Sequence, residues 1–471
     1  QTDVAYLPSY IESGINGLPV VRFRGDSESD YLDNDHSYNA RTVLAVYRVD
    51  NTEQDNGELA QIWGNYEEAV QVALDPRVGG NANGWSFDGN GETRARYALF
   101  GNSYGSFVEN DNNDQWTYDN YELVRVEFET ARPLTRQVIG SLIPTFGIGE
   151  HHFGGDIAEL IVYNSTLNQT QRILVENYLA AKYDLALVAG IDKFAFEATH
   201  NHDVAGIGRF SSEDYHTGAT SGNILTIDNP ADLNDGEYLI FGHDDADISG
   251  WSGNEVPSDS LRRLNREWIF DLTGNPGTID ISIDTSDLPD LPLGFEGYYL
   301  LTDEDGDFTS GADIFRMSLI GNTLQIQGLS LTDSTSVTFA IVSPGVTFNT
   351  YTSAAPEDAG IASVAIELTD TLTTDIQVYY SVLEGTATEG AGNDYFLATS
   401  PLIISAGSLT ESVQITLNDD TEVEIEESIT LQIDSVTEGL FIGEYSQHIF
   451  TISDNDNHGY TGPAGVGDST I

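Results

Sequence analysis

Two short turns hold most of the chemistry this chain advertises: Asn418 to Glu427, reading NDDTEVEIEE, and the later SDNDN with Asp454 and Asp456. Hard cations such as Ca2+ take about six to eight oxygen ligands, chiefly Asp and Glu carboxylates from adjoining loops. Left without a cation, carboxylates crowded within a few ångströms raise one another's pKa and resist ionising. The chemistry predicted is therefore calcium binding.

The rest of the chain leans the same way. There are 76 Asp plus Glu against 18 Lys plus Arg among 471 residues, a formal charge of -58, and the lysines are Lys182 and Lys193 alone. Such a chain repels itself unless cations bind or screen it, and a solvated acidic surface in a saline medium accounts for much of the excess. Nucleic acid is excluded as a partner, because affinity for phosphate depends on basic residues. Anionic lipid is excluded on the same ground, and no apolar run reaches the length of a membrane span. Cysteine is absent, which removes disulfides, zinc thiolates and cysteine nucleophiles together. No signal sequence stands at Gln1, so any export signal is expected outside this sequence.

The elements that must position the acids are strands. Alternating apolar residues bounded by Gly, Asn, Asp and Pro clusters predict an all-β chain of three tandem β-sandwich modules. In the last third, Val364, Ile366 and Leu368, then Ile376, Val378, Tyr380 and Val382, then Val413, Ile415 and Leu417 recur with period two, placing apolar side chains on one sheet face. One helix is expected, in LNQTQRILVENYLAAKYDL, capped by Asn168 or Thr170. The predicted units are 1–189, 190–345 and 346–457, followed by a linker or donor segment at 458–471.

NGLPVVRFRG (Asn16 to Gly25) and GGDIAELIVYNSTLNQTQRILVENYLAAKYDL (Gly154 to Leu185) resemble the opening and closing motifs of concanavalin-A-like or laminin-G-like jelly-roll modules. Such modules start with an earlier strand, roughly LWLDA, and the first unit is expected to lack it. The tail GYTGPAGVGDSTI (Gly459 to Ile471) resembles the lead-in to that strand, so neighbouring copies are expected to complete one another's sheets by strand addition. HNHDVAGIGRF, REWIFDLTG and YYLLTDEDGDFTSGAD are similar to a β-rich module of large surface proteins of marine Bacteroidota. The third unit resembles a Calx-beta domain, an Ig-like sandwich, through APEDAG, EGTATEGAGNDYFL, NDDTEVEIEESITLQI and FTISDNDN in order. That resemblance implies Glu357, Asp394, Asp419, Asp420, Glu424, Glu427, Asp454 and Asp456 as calcium ligands, with Asn455 and Thr421 where many members carry Asp.

Other clusters carry blander readings. Asp303, Glu304, Asp305, Asp307 and Asp313 read as an Asp-Gly turn, since Gly306 is misplaced for an EF-hand. His243, Asp244, Asp245 and Asp247 read likewise. Adjacent His151 and His152 point apart on a strand. Glu109, Asp111 and Asp114 are the nearest approach to the acid triplet of laminarinase-like glycosidases, yet they lie in an Asn-rich loop. Trp63, Trp85 and Trp116 have the amphipathic rings that suit sugar stacking. The function expected is non-enzymatic: an extracellular, cell-surface structural or adhesive repeat, rigidified by Ca2+, partnered by neighbouring copies and in part by extracellular polysaccharide. A lectin-like module set is the alternative, and a glycosidase the third.

Overall fold

The computed structural model describes residues 7–25, 30–34, 36–50, 60–65, 71–75, 84–86, 95–100, 119–134, 136–141, 152–187, 189–292, 295–437 and 440–456. Within them the chain is strands, one α-helix and brief 3-10 turns, arranged as three pairs of facing sheets. The all-β expectation holds. Among the described residues no helix is long and apolar enough to cross a membrane.

The first pair sets a six-stranded sheet, ordered Ser9–Ile15, Leu18–Phe23, Gly155–Tyr163, Tyr38–Val49, Tyr121–Leu134, Ala95–Phe100, against a five-stranded one. Strand Tyr38–Val49 is apolar on both faces for a physical reason. Val43, Ala45, Tyr47 and Val49 enter the sandwich with Trp63 and Phe153, whereas Leu44 and Val46 turn outward onto the helix Gln169–Tyr183. The middle pair mirrors this. In strand Glu237–His243, Leu239 and Phe241 join its own sandwich core with Trp268 and Phe270, while Tyr238 and Ile240 face the same helix.

The helix is therefore a layer shared by two sandwiches, and one core crosses the boundary predicted at 189/190. Its start is fixed by Asn168, whose side chain accepts from Gln171 N at 2.8 Å while Gln171 Oε1 accepts from Asn168 N at 3.0 Å, a reciprocal capping box. Thr170 is not the cap. It is buried and ties the helix to the middle unit, donating to Asp214 O and accepting from Phe210 N. Midway along it, Asn177 clamps the segment that follows the helix, donating to Ile191 O and accepting from Lys193 N. The helix meets the first sheet through buried charge: Arg125 contacts Glu127 and Glu176 at 2.8 Å each, and Arg172 reaches Glu127 at 2.7 Å.

The last pair has sheets ordered Tyr395–Leu397, Thr410–Leu417, Ile361–Leu368, Gly345–Phe348, Phe441–Ile442 and Thr352–Pro356, Gln447–Ser453, Glu427–Val436, Ile376–Gly385, Leu402–Ile404. The first strand of this unit is split between them, and each half pairs in parallel with a late strand. The period-two reading holds: Val364, Ile366, Leu368, Ile376, Val378, Tyr380, Val413, Ile415 and Leu417 form the core, with Val382 packed at its margin.

Candidate metal centre

Register decides where the acids go. Pro356 lies opposite Ser453, Ile452 opposite Glu427, Gly385 opposite Ile429, and Tyr395 opposite Leu417. Glu357, Asp394, Asn418 and Asp454, each one residue beyond such a pair, therefore meet at one end of the sandwich. At the other end Arg316 of the middle unit bridges to Asp370 at 3.0 Å. The acidic end thus faces away from the middle unit.

Two groups form there. Glu357, Asp454 and Asp456 offer carboxylate oxygens that all lie within 4.8 Å of one another, and Asp394, Glu424 and Glu427 do the same. The two are joined by Glu424 N donating to Asp454 Oδ2 at 3.0 Å. Local bonds hold the ligand loops: Asn418 N donates to Asp394 O, and Asp394 Oδ2 accepts from Thr388 N. Asp456 N bonds Asp454 Oδ1 at 2.7 Å, which folds the SDNDN turn so that residues 454 and 456 both face Glu357.

The carboxylates at this end repel one another. Burial, followed by sharing a hydrogen bond with Asp394 and repulsion from Asp394 and Glu424, pushes Glu427 up to about 7. Glu357 is raised by burial and then by Asp454, Asp456 and Asp420. Glu424 and Asp456 rise for the same two kinds of reason. Asp456 Oδ2 has no hydrogen-bond partner within the protein, an arrangement that a water, a donor or an ion would satisfy. Oxygen-only donors, two triads and an orphaned oxygen fit a hard divalent ion such as Ca2+.

A pH dependence follows. The folded pKa of Glu427, about 7, lies above the ordinary 4.5, so its contribution to ion-free stability is full below about 4.5 and lost as pH rises through 7. The ion-free protein is expected to melt progressively lower between pH 5 and 7.5, and saturating calcium is expected to reverse that slope. Glu427→Gln should flatten it. Differential scanning calorimetry checks this, and an ion-free melting temperature that rises across the window contradicts it.

Six predicted ligands fall in the two triads. Asp419 and Asp420 lie at the same end, close enough to raise Asp456; Asp419 Oδ1 accepts from Asn455 Nδ2 at 3.2 Å and Asp420 Oδ1 from Glu422 N at 2.7 Å. The other acidic clusters are structural turns. Asp303 Oδ1 accepts from Asp305 N and Gly306 N, Asp305 from Asp307 N, and Asp307 from Thr309 N; Asp313 begins the edge strand Asp313–Arg316. His243 is buried, accepting from Asp245 N on Nδ1 and contacting Asp203 Oδ2 through Nε2 at 3.1 Å; Asp244 and Asp247 cap Ala246 N and Ser249 N. Trp63 is fully buried with its Nε1 donating to Gln137, which corrects its reading as a sugar platform. His152 is buried against Ser141. His151, Glu109, Asp111, Asp114, Trp116 and Gly459 to Ile471 lie outside the described residues, as does the side chain of Trp85.

Residues 343–456 match the Calx-beta domain family. Residues 171–335 match the family described as Domain of unknown function (DUF8202), which begins inside the shared helix. No curated protein matches the chain. Among solved structures, the crystal structure of the apo-form Calx CBD1 domain is 22% identical, covering 24% of this chain and 98% of that one at a TM-score of 0.22. The crystal structure of calcium binding domain CBD12 of CALX1.1 is 23% identical, covering 24% of this chain and 47% of that one at a TM-score of 0.23. The crystal structure of CBD12 from CALX1.2 is 22% identical, with 24% and 44% covered and a TM-score of 0.22. The match thus spans less than half the length of either CBD12 chain.

Proposed function

We propose that this chain is a non-enzymatic, extracellular structural and adhesive repeat of a bacterial surface protein, in which Ca2+ held by Glu357, Asp454, Asp456 and by Asp394, Glu424, Glu427 stiffens the outer end of the Calx-beta unit. The observation that carries it is the pair of carboxylate triads at the end farthest from the middle unit. An ion there draws together the strand end Pro356, the 418–427 loop and the exit at Asp456, and so fixes the direction in which the chain leaves the sandwich. The first two units are already fused through their helix, so this distal end is the next place where stiffness has to be supplied. A jelly-roll identity for the first unit is supported by its facing six- and five-stranded sheets and the helix following strand Gly155–Tyr163. Head-to-tail assembly with neighbouring copies, by strand addition at an open sheet edge, completes the proposal.

Isothermal titration calorimetry on the whole chain at moderate salt tests the ion. Saturable calcium binding is expected, about one ion per triad, weakened at least tenfold by Glu357→Gln or Glu427→Gln because ligand charge sets affinity. Absence of a binding isotherm overturns the reading.

A further inference from the structure

A cleft of about 480 Å3 opens where the first and middle sandwiches meet over their shared helix. That volume lies within the roughly 300–1,000 Å3 of small-ligand sites, which favour junctions between domains. The first unit contributes Tyr163, at the end of strand Gly155–Tyr163, and the helix contributes Tyr178. The middle unit contributes His216, Thr220, Thr226 and Asp228. We propose that this cleft binds a neutral saccharide, a short stretch of extracellular polysaccharide. The inference gives a ligand class to the adhesive role above and rests on that reading; it does not depend on the ions.

Three features of the lining select that ligand. Both tyrosines are half-buried, and an amphipathic ring offers an apolar surface to the C–H face of a sugar beside a polar tip. Tyr178 is already fixed, its hydroxyl donating to Glu159 Oε1 at 3.3 Å and accepting from Lys182 Nζ at 2.9 Å, so binding costs it little rotamer freedom. The polar groups are hydroxyls and an acceptor. Thr220 and Thr226 share a hydrogen bond between their Oγ1 atoms at 2.8 Å across adjacent strands, and each hydroxyl has capacity beyond that bond. The Asp228 carboxylate has no hydrogen-bond or ion-pair partner among the described residues; it accepts only, and sugar hydroxyls are donors. Lastly, no Lys or Arg lines the cleft, and burial lowers His216, leaving its ring neutral at neutral pH. An anionic polysaccharide would meet Asp228 without a countercharge, a juxtaposition that rejects it.

A glycan array carrying neutral and uronate-bearing oligosaccharides, titrated with the whole chain, tests this. Binding to neutral saccharides and none to uronates is expected. Asp228→Asn should weaken it about tenfold, the loss of a hydrogen bond to a charged acceptor, with a melting temperature equal to wild type or higher because Asp228 and Asp280 repel each other. Gly218→Tyr should abolish binding by filling the cleft; a Cβ there meets only Asp228 Cβ at 3.6 Å and Ile227 O at 3.8 Å, so the backbone need not move. Neutral binding unchanged in both variants overturns the site and leaves the adhesive reading standing. Preference for uronates overturns the ligand class. Absence of signal on every saccharide overturns the proposal and, with it, adhesion through glycans.

Discussion

Calcium is expected to raise the melting temperature of the Calx-beta unit by roughly 10 °C over the same protein in chelator. Linkage fixes the size: an ion that binds only the folded state at a hundred times its dissociation constant adds about 2.7 kcal/mol. For a unit of this size, 1 kcal/mol moves the midpoint by about 4 °C or more. The direction follows from the site itself. Without the ion, Glu357, Glu424, Glu427 and Asp456 are all held above their ordinary pKa by burial and by one another, so ionising them at neutral pH opposes folding, and a cation removes that opposition. The double variant Glu357→Gln with Glu427→Gln should lose the shift and melt at or above wild type in chelator. Calorimetry showing the same endotherm in calcium and in chelator would remove the stiffening role.

The second large effect lies far from the ions. Arg125→Ala is expected to destabilise the fused first and middle units by about 3–5 kcal/mol, the usual cost of stripping one partner from a buried ion pair. Arg125 is buried between Glu127 and Glu176 at 2.8 Å each, and burial already raises Glu176 against the pull of Arg125. Arg172 stays on Glu127, so Glu176 is the group left without its nearest countercharge. Replacing both members, as in Arg125→Met with Glu176→Leu, should recover most of the loss because the pair's desolvation disappears with it. Denaturant unfolding followed by tryptophan fluorescence reads both variants. A loss under about 1 kcal/mol in Arg125→Ala would mean that the helix is not anchored through this network.

These two sites show what a sequence displays and what it hides. Period-two runs such as Val413, Ile415 and Leu417 announce their face because strand geometry leaves no other reading. Glu427 and Asp454 are placed by register, since Glu427 pairs with Ile452 and Asp454 follows the paired strand end at Ser453. Asp419 and Asp420 stand on a nonperiodic loop, whose geometry no alternation announces, and there they accept from Asn455 Nδ2 and Glu422 N. The shared helix was visible as a helix, but the unit boundary expected at 189/190 left its second role unread. Only the packed structure puts Leu44 and Val46 on one side of it and Tyr238 and Ile240 on the other. A signal did exist: TVLAVYRV and EYLIFGH are apolar without alternation, the mark of strands covered on both faces. The buried charges carried a fainter one, since Arg125 and Glu127 alternate in phase with Leu123 and so share its covered face.

The central claim is that two carboxylate triads at the outer end of the last unit hold calcium. Anomalous diffraction from crystals grown with calcium tests it most directly. The account predicts one anomalous peak among Glu357, Asp454 and Asp456 and another among Asp394, Glu424 and Glu427, both lost when crystals are soaked in chelator. Well-ordered carboxylates at this end with no anomalous peak in either triad would contradict it.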